Sequence, residues 1–351
     1  MLTRFFIRSP LFILLITSLI AILCPRALAQ ESNEKDPVKN DAEDQCKRYN
    51  SFVWENDIIA ADDGGYSNGF AYSWGYADIQ CSDAWVKKID SWLTDVSQLH
   101  GQENSGNTPY TFQLAHVMST PSDIENPELI PNDRPYTGLM FSALNIFHHD
   151  EKSATHYELL LGAVGPITQA EEIQSFIHRA IGISEPEGWE HQTNNELVFR
   201  LGIDKSWKLH EGSFFKSYES DLIGMSDIKA GNLSSDIGAG LSYRIGRGLT
   251  KSTSSHSIIP GRSTPVLMLK PGDWALFFTL YGNYVFNNIV IEGNTRQESH
   301  GVPLINEQLR YTLGGYYQFE SHGFSASLHQ SSEQFEGLHE NTLFLTLGLS
   351  Y

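Results

Sequence analysis

The sequence has few basic residues, few cysteines and only one long apolar run. Its 24 Lys and Arg residues stand against 42 Asp and Glu, a formal net charge of −18, so nucleic acid is not expected as a partner. Beyond residues 11–23, no stretch is long and apolar enough for a membrane helix, which excludes a multispan helical protein. Aromatic residues, at 12%, and the 29 glycines are abundant instead, and this composition fits a β protein.

The first 29 residues have the pattern of a secretory signal peptide. Two arginines give a basic start, residues 11–23 form the apolar run, and "ALAQ" at 27–30 offers a small-x-small cleavage site. An uncleaved membrane anchor is the alternative, but the run is short for a span of ~20 residues. A lipoprotein attached through Cys24 is disfavoured because a bulky leucine precedes it.

Removal of this leader takes away three arginines and no acidic residue, which leaves 21 basic against 42 acidic residues. Such acidity suits a site that gathers divalent cations. The alternative is that the acidity only keeps an exported protein soluble.

The last residues alternate between apolar and small or polar side chains. In "NTLFLTLGLSY" every second residue is apolar up to the aromatic Tyr351, and the same alternation recurs over 236–245, 274–286 and 308–319. Alternating segments of ~10 residues are typical of a transmembrane β-barrel, which must close because a bilayer tolerates no unpaired sheet edge. A soluble sandwich alternates too, but strand length and aromatic strand ends favour the barrel.

The alternation therefore predicts an all-β fold, a twelve-stranded antiparallel transmembrane barrel. The predicted strands are 49–58, 66–77, 110–119, 136–147, 154–163, 195–208, 214–228, 233–246, 273–287, 305–320, 323–332 and 340–351. Short turns, periplasmic in such barrels, are expected at 148–152, 210–212 and 321–323. The long connections, 120–135, 164–194 and 288–304, are then extracellular.

The predicted topology divides the chain into three parts and places the protein in the bacterial outer membrane. We expect a signal peptide at 1–29, a short periplasmic segment at 30–48 and the barrel at 49–351, acting as a monomer. The connections 79–109 and 247–272 are long for the periplasmic side. The first carries one apolar helix face, with tryptophans at 85 and 92, which predicts either an interfacial helix or a helix that plugs the barrel mouth.

Cys46 and Cys81 are the two cysteines left after the leader. Such pairs are often bridged in exported proteins. Cys46 precedes the first strand and Cys81 follows the second, so a symmetric hairpin brings them together at its periplasmic end. We predict a Cys46–Cys81 disulfide.

Unusual polar residues from four chain segments collect at the predicted extracellular rim. Asn56 and Asp57 end the first strand, "YSNG" at 66–69 begins the second, and "NDRPYTG" at 132–138 ends the second extracellular loop. The third extracellular loop, 165–196, contains a predicted short helix that ends before a glycine. Gln174 and His178 lie four residues apart in that helix, so they share one face.

Each of these residues also has an ordinary structural interpretation. Asn56 and Asp57 beside a glycine-rich loop are typical turn residues. Ser67 is a hydroxyl at a strand start, and His178 is one of 13 histidines. Arg134 can pair with rim carboxylates or with phosphates of lipopolysaccharide. Taken one at a time, the functional interpretations are weak.

Together the motifs resemble a known family. "WENDII", "DDGGYSNG", "NDRPYTGLMF", "LGAVGP…EEIQSFIHRAIG…EPEGWEHQ" and "VIEGNT" follow in this order from residue 54 to residue 295. In combination they are similar to the LpxR-type lipid A 3′-O-deacylases of Gram-negative outer membranes, and the resemblance extends from about residue 48 to Tyr351. It implies a site at the outer-leaflet rim, between the barrel wall and a loop helix. It also implies calcium-dependent hydrolysis of the ester that holds the 3′-linked acyloxyacyl chain of lipid A, the lipid anchor of lipopolysaccharide.

The resemblance also implies roles for individual residues. The Asn-Asp pair of the family falls on Asn56 and Asp57, its strand-two hydroxyl on Ser67, and its helix Gln and His on Gln174 and His178.

Two departures from the family pattern matter. A lysine of some members has no match, because the aligned stretch reads "SDIEN" at 122–126, and its phosphate-binding role either passes to Arg134 or is absent. The glutamate six residues after the helix His falls on Ser184, with Glu185 beside it. We therefore assign Glu185 with Asp57 to the metal, and Arg134 with Tyr66 to the substrate.

The expected chemistry is ester hydrolysis. Calcium held by Asp57 would polarise the carbonyl, and His178 would take a proton from water. Gln174 would orient substrate or water, and Asn56 and Ser67 would donate to the oxyanion or help to place the metal. A covalent route through Ser67 stays open, although "YSNG" lacks the small-residue elbow of many nucleophilic serines. A phospholipase and a non-catalytic barrel, either a channel or a structural protein, are the alternative functions.

Overall fold

The structure is a computed structural model, which describes residues 46–57, 65–97, 108–149, 152–214, 218–249, 270–337 and 343–351. The predicted signal peptide and most of the segment 30–48 lie outside these residues. So does the hairpin loop 58–64, which joins the first two strands.

Twelve strands form a closed antiparallel barrel, as the alternation predicts. The strands are β1 (Arg48–Asn56), β2 (Gly65–Tyr76), β3 (Tyr110–Thr120), β4 (Thr137–His149), β5 (Ser153–Val164), β6 (Glu196–Phe214), β7 (Tyr218–Ala230), β8 (Ser234–Arg247), β9 (Trp274–Asn288), β10 (Glu307–Gln318), β11 (Gly323–Ser331) and β12 (Leu343–Ser350). Each pairs with its chain neighbour, and β12 pairs with β1 to close the barrel.

Three helices lie in the connections. They are α1 (Ala84–Ser97), α2 (Ala170–Ile181) and the single turn α3 (Ile289–Glu292). In the part of the chain that the structure describes, no helix has the length and apolar character needed to cross a membrane.

The barrel has two distinct ends. The loop end carries the long connections 121–136, 165–195 and 289–306, and the turn end carries the short ones, such as 319–322. α2 lies at the loop end, as predicted, and α1 lies at the turn end.

The predicted turn at 210–212 is wrong. β6 continues to Phe214, and His210 pairs with Leu222 of β7 after a shift in the ladder between Lys208 and His210. The polar residues of this stretch resemble a turn, but they are mostly exposed, so the strand needs no apolar alternation there. The β6–β7 connection, 215–217, lies outside the described residues.

Polar side chains fill the inside of the barrel. Arg200 pairs with Glu158 at 2.8 Å, and Arg244 pairs with Asp221 at 2.5 Å. Lys229 has no solvent-exposed side-chain surface and contacts two aspartates. A buried charge without a partner would cost several kcal/mol, so these inward charges are matched. Such packing argues against an open channel.

The predicted disulfide is confirmed, with 5.6 Å between the Cα atoms of Cys46 and Cys81. The β1–β2 ladder pairs Arg48 with Tyr76, so its extension would place Cys46 opposite Asp78. The 3-10 turn Ile79–Cys81 folds the chain back and brings Cys81 within reach.

Helix α1 lies on the outer wall of the barrel and does not plug its mouth. Val86, only 1% exposed, packs with Leu144, Ile146 and Tyr157. Tyr157 precedes the inward-facing Glu158 on β5, so it points outward. The alternative of a helix that plugs the barrel mouth is therefore wrong, and the interfacial position stays a prediction.

Candidate functional site

Helix α2 lies against the outer wall at the loop end. The close approach depends on Gly138 of β4, because a Cβ atom there would lie 2.5 Å from the Cβ of Ala170. His116 of β3 donates from Nε2 to the carbonyl oxygen of Thr168, 3.0 Å away, just before the helix. The wall therefore binds the start of α2 both by shape and by a hydrogen bond.

An apolar cluster continues this contact across two strands. Its members come from β2, β3, α2 and the two loops around them, and they are Phe70, Met118, Tyr136, Ala170, Ile173 and Trp189. Phe70 and Met118 lie on β2 and β3, so α2 lies beside the outer surface of β2–β4. Gln174 and His178 follow in the next turns of the same helix.

The orientation of His178 is fixed by the backbone after the helix. Gly182, at φ +75°, ends α2 in the left-handed conformation, and the chain turns back so that the Ser184 carbonyl oxygen lies 2.5 Å from Nδ1 of His178. A carbonyl only accepts, so Nδ1 carries the proton. The neutral imidazole then has its lone pair on Nε2, the form that a general base requires.

The orientation of Gln174 is fixed by Trp189. Nε1 of Trp189 donates to Oε1 of Gln174 at 2.9 Å, and the two side chains are only 1% and 4% exposed. Because the carbonyl end of the amide is occupied, the NH2 end of Gln174 is directed away from Trp189. The amide therefore presents a donor in a fixed direction.

The ends of β1 and β2 place the asparagines beside each other. Asn56 is the direct partner of Asn68, which in turn pairs with Met118 of the apolar cluster. Nε1 of Trp54 donates to Oδ1 of Asn68 at 3.1 Å. Asp57 follows β1 directly and is only 4% exposed.

Ser67 occupies a β-bulge. Tyr66 pairs with Ser119 and Asn68 pairs with Met118, so Ser67 is the extra residue between two ladder positions. Bulges re-aim side chains and are frequent beside active sites. The side chains of Tyr66 and Ser67 lie outside the described part of the structure.

Two further residues from the sequence prediction have structural partners. Arg134 is only 3% exposed, and its guanidinium lies 5.0 Å from the ring centre of Phe335. Glu185 pairs with Arg179 of α2 at 2.5 Å, with both side chains exposed. These placements favour structural roles, and the predicted roles in substrate and metal binding stay predictions.

The described residues hold no cluster of acidic, histidine or cysteine side chains of the size that a metal ion needs. Among them, no three His, Cys, Asp or Glu side chains lie close enough together to hold a metal ion. Asp57 offers a buried carboxylate, but the carboxylate of Glu185 is directed to Arg179. A hard cation such as Ca²⁺ takes six to eight oxygen ligands, and this pair of residues falls well short of that number.

The loops at the loop end are joined to one another through Glu196. This carboxylate accepts hydrogen bonds from the hydroxyl of Thr295, from the backbone N–H of Thr295 at 3.0 Å and from the amide of Asn294 at 3.2 Å. Through these bonds the "VIEGNT" motif joins the loop that carries α2 to the loop after β9. His300 adds a 2.7 Å bond to the Asp133 carbonyl.

Tyr136 closes the space between the α2 loop and the loop before β4. Its ring lies 4.9 Å from that of Trp189, and its hydroxyl donates to the carbonyl of Ile124 at 3.3 Å. Burial raises the pKa of the Tyr136 phenol to about 12, and nearby carboxylates add to the effect. The phenol therefore stays neutral at any physiological pH.

Sequence reasoning missed three contributors to this geometry: Gly138, Trp189 and the Ser184 carbonyl. Gly138 and Trp189 stand inside the quoted motifs "NDRPYTGLMF" and "EPEGWEHQ", so a signal was present. Nothing in the sequence distinguished the carbonyl of Ser184 from any other, because that contact depends on the turn after α2.

A family model, described as outer membrane protein LpxR, matches residues 11–351. The chain belongs to the LpxR family. Membership places this LpxR-family protein in the outer membrane, in agreement with the closed barrel. A search of curated proteins finds no match to it.

A solved structure shows the same fold. LpxR from Salmonella typhimurium matches with a TM-score of 0.71 and 16% identity, covering 86% of this chain and 99% of that one. The β domain of the Bordetella autotransporter BrkA matches at TM-score 0.42 and 9% identity, covering 88% and 99%. The translocator domain of NalP from Neisseria meningitidis matches at 0.40 and 9%, covering 87% of each chain. The last two values are too low to support an inference about this LpxR-family chain.

Proposed function

We propose that this LpxR-family protein is an esterase that removes the 3′-linked acyloxyacyl chain from lipid A in the outer leaflet. The observation that carries the proposal is the arrangement of α2, whose Gln174 and His178 are individually oriented beside the wall of an outer-membrane barrel. Long loops lie outside the cell in such barrels, so the loop end faces the outer leaflet. A lipid substrate there reaches the wall from the membrane side.

His178 acts as the general base in this proposal. Its Nδ1 donates to the Ser184 carbonyl, so Nε2 accepts the proton of the attacking water as the water oxygen bonds to the ester carbonyl carbon. The tetrahedral intermediate then collapses. The proton on Nε2 passes to the leaving sugar oxygen, which gives a free acid and a hydroxyl group on lipid A.

Amide groups stabilise the oxyanion that forms in the first step. Asn56 and Gln174 present side-chain donors, and preorganised donors of this kind typically contribute 10²–10³-fold in rate (about 3–4 kcal/mol). Ser67 serves as a further donor in the water route. In the covalent route its Oγ attacks the carbonyl and His178 takes its proton instead.

The calcium requirement is part of the proposal and rests on the family resemblance. When bound, Ca²⁺ would supply an electrophile for the ester carbonyl. The steps assigned to His178, Asn56, Gln174 and Ser67 do not depend on the ion. A chelator tests the requirement directly.

The decisive experiment is mass spectrometry of lipid A from cells that express the wild type or the His178→Ala variant. We expect the wild type to remove a mass equal to one acyloxyacyl group, and we expect the variant to remove none. His210→Ala is a matched control, because His210 is an exposed histidine at the turn end. The heat-modifiable mobility of folded barrels on gels shows that each variant is assembled.

Two results would contradict the proposal. The first is unchanged lipid A in cells that hold a folded wild-type barrel, which would contradict deacylation. The second is full activity in His178→Ala, which would contradict the role of His178 as general base. Repeating the assay in purified vesicles with calcium or with a chelator separates the metal requirement from the reaction itself.

A further inference from the structure

Helix α1 is held on the outer wall in one fixed orientation. Its buried side packs through Val86, Ile89 and Leu93 on the apolar wall at the turn end. Nε2 of His148 lies 2.6 Å from Oδ1 of Asp90, in the middle of the helix. The last residue of the helix, Ser97, hydrogen-bonds to a tyrosine hydroxyl of β5 at 2.5 Å. The helix therefore cannot rotate about its axis without losing these bonds.

This orientation leaves a second apolar surface uncovered. Trp85, Trp92 and Val96 are 48%, 56% and 64% exposed, and their spacings of seven and four residues place them in one row along the helix. We call this row the tryptophan ridge. An exposed apolar row of this size, with polar neighbours, marks a surface that another phase or molecule covers.

The ridge continues the aromatic surface of the barrel wall. The ring of Trp85 lies 5.7 Å from that of Phe112 on β3, and Phe112 lies 5.9 Å from Trp74 on β2. Trp74 in turn stacks on Tyr72 at 5.7 Å, and both are about two-fifths exposed on the outward face. Tryptophan and tyrosine concentrate where a membrane meets water, so the ridge extends the aromatic girdle of the barrel.

The polar residues of α1 lie on the other sides of the helix. Lys87 and Thr94, about half a turn from the ridge, are half-buried, and Lys87 donates to the Gln80 carbonyl at 2.8 Å. Lys88, Ser91 and Asp95 are exposed on the side away from the wall. A helix that is apolar toward the girdle and polar elsewhere has the pattern of an interfacial membrane helix.

We propose that the tryptophan ridge of α1 inserts into the phospholipid leaflet at the turn end and is part of the membrane-binding surface of the protein. Continuity with the aromatic girdle identifies the occupant as phospholipid acyl chains and headgroups. The inference is independent of the catalytic proposal. In this proposal α1 sets the depth of the barrel in the bilayer, on the side of the barrel where α2 also lies.

The test is tryptophan fluorescence of the full protein in vesicles of phosphatidylcholine brominated near the headgroup end of its acyl chains. Bromine quenches only the tryptophans in contact with lipid. The chain has seven tryptophans, so variants identify the contributors. Trp85→Phe and Trp92→Phe keep an aromatic ring and preserve folding, and Trp189→Phe is the matched control because Trp189 is buried among the loops.

We expect the quenched fraction of the fluorescence to fall in both ridge variants, because each removes a quenched tryptophan. It should rise in Trp189→Phe, which removes an unquenched one. An unchanged or increased quenched fraction in the ridge variants would overturn the proposal. So would a wild-type dimer that the ridge variants convert to a monomer, since a second copy would then cover the ridge.

Discussion

Helices α1 and α2 lie on the same side of the barrel, at opposite ends of β4, yet they use their polar residues in opposite ways. α1 directs Asp90 to His148 of the wall and leaves the tryptophan ridge exposed. α2 attaches to the wall through small and apolar groups, at Gly138 and Ala170. Its polar side chains are oriented by its own loop instead. A buried polar group of α1 therefore serves attachment, whereas Gln174 and His178 of α2 are left available for chemistry.

The largest expected effect follows from the close contact under α2. Gly138→Ala places a Cβ against Ala170 and Thr168, so the helix must shift outward. A displacement of about 1 Å in a catalytic group can cost about 10²-fold in rate. We therefore expect deacylation, measured by mass spectrometry of lipid A in purified vesicles, to fall by about that factor.

Gly282→Ala is the control for this substitution. Gly282 is also a strand glycine, but its added Cβ would meet nothing closer than 3.7 Å. Wild-type activity in Gly282→Ala together with wild-type activity in Gly138→Ala would show that the position of α2 has no bearing on catalysis.

A smaller effect is expected from the residue that orients Gln174. Trp189→Phe keeps the ring in its cluster but removes the Nε1 donor, which leaves a buried amide oxygen without that bond. Such a loss costs about 1–3 kcal/mol, so we expect activity to fall by about tenfold with the barrel still folded. The readout is the initial rate in vesicles at saturating substrate.

Trp207→Phe tests whether this effect is specific. Trp207 is 41% exposed on β6 and pairs with Ser153 at the turn end, the end of the barrel opposite to α2. Equal losses in Trp189→Phe and Trp207→Phe would point to a general effect of losing a tryptophan ring rather than to Gln174.

The smallest effect on activity is expected at the turn end. The paired substitution Cys46→Ser and Cys81→Ser removes the bridge beside α1 and should lower the free energy of unfolding by about 2–4 kcal/mol. Because the bridge lies at the opposite end from α2, the rate of deacylation should not change. Urea titration of the folded barrel measures the first quantity, and the lipid A assay measures the second. A large loss of activity would mean that the two ends of the wall are coupled.

Most of the fold could be predicted because the membrane imposes a period of two on every strand. The twelve predicted strands match the observed ones closely, and the disulfide follows from the β1–β2 hairpin. The turn predicted at 210–212 failed where β6 extends past the region that needs apolar alternation. Composition alone cannot distinguish an exposed polar strand from a turn.

The candidate site could be predicted less completely. The helix, Gln174 and His178 were predicted from periodicity and motif, and the structure places them beside the wall. The partners that orient them, Trp189 and the Ser184 carbonyl, depend on how the chain folds back after Gly182. Contacts that depend on loop geometry leave little trace in a sequence.

The pairing of β1 with β12 has a consequence for the order of assembly. Ser51 lies opposite Ser350, so the contact that closes the barrel joins residues about three hundred positions apart. Until β12 arrives, β1 keeps an unpaired edge, which hydrocarbon does not tolerate. The β1–β2 hairpin, by contrast, is closed covalently by cysteines only 35 residues apart. β1 is therefore joined to β2 by a local covalent link, whereas its pairing with β12 depends on the two ends of the chain meeting.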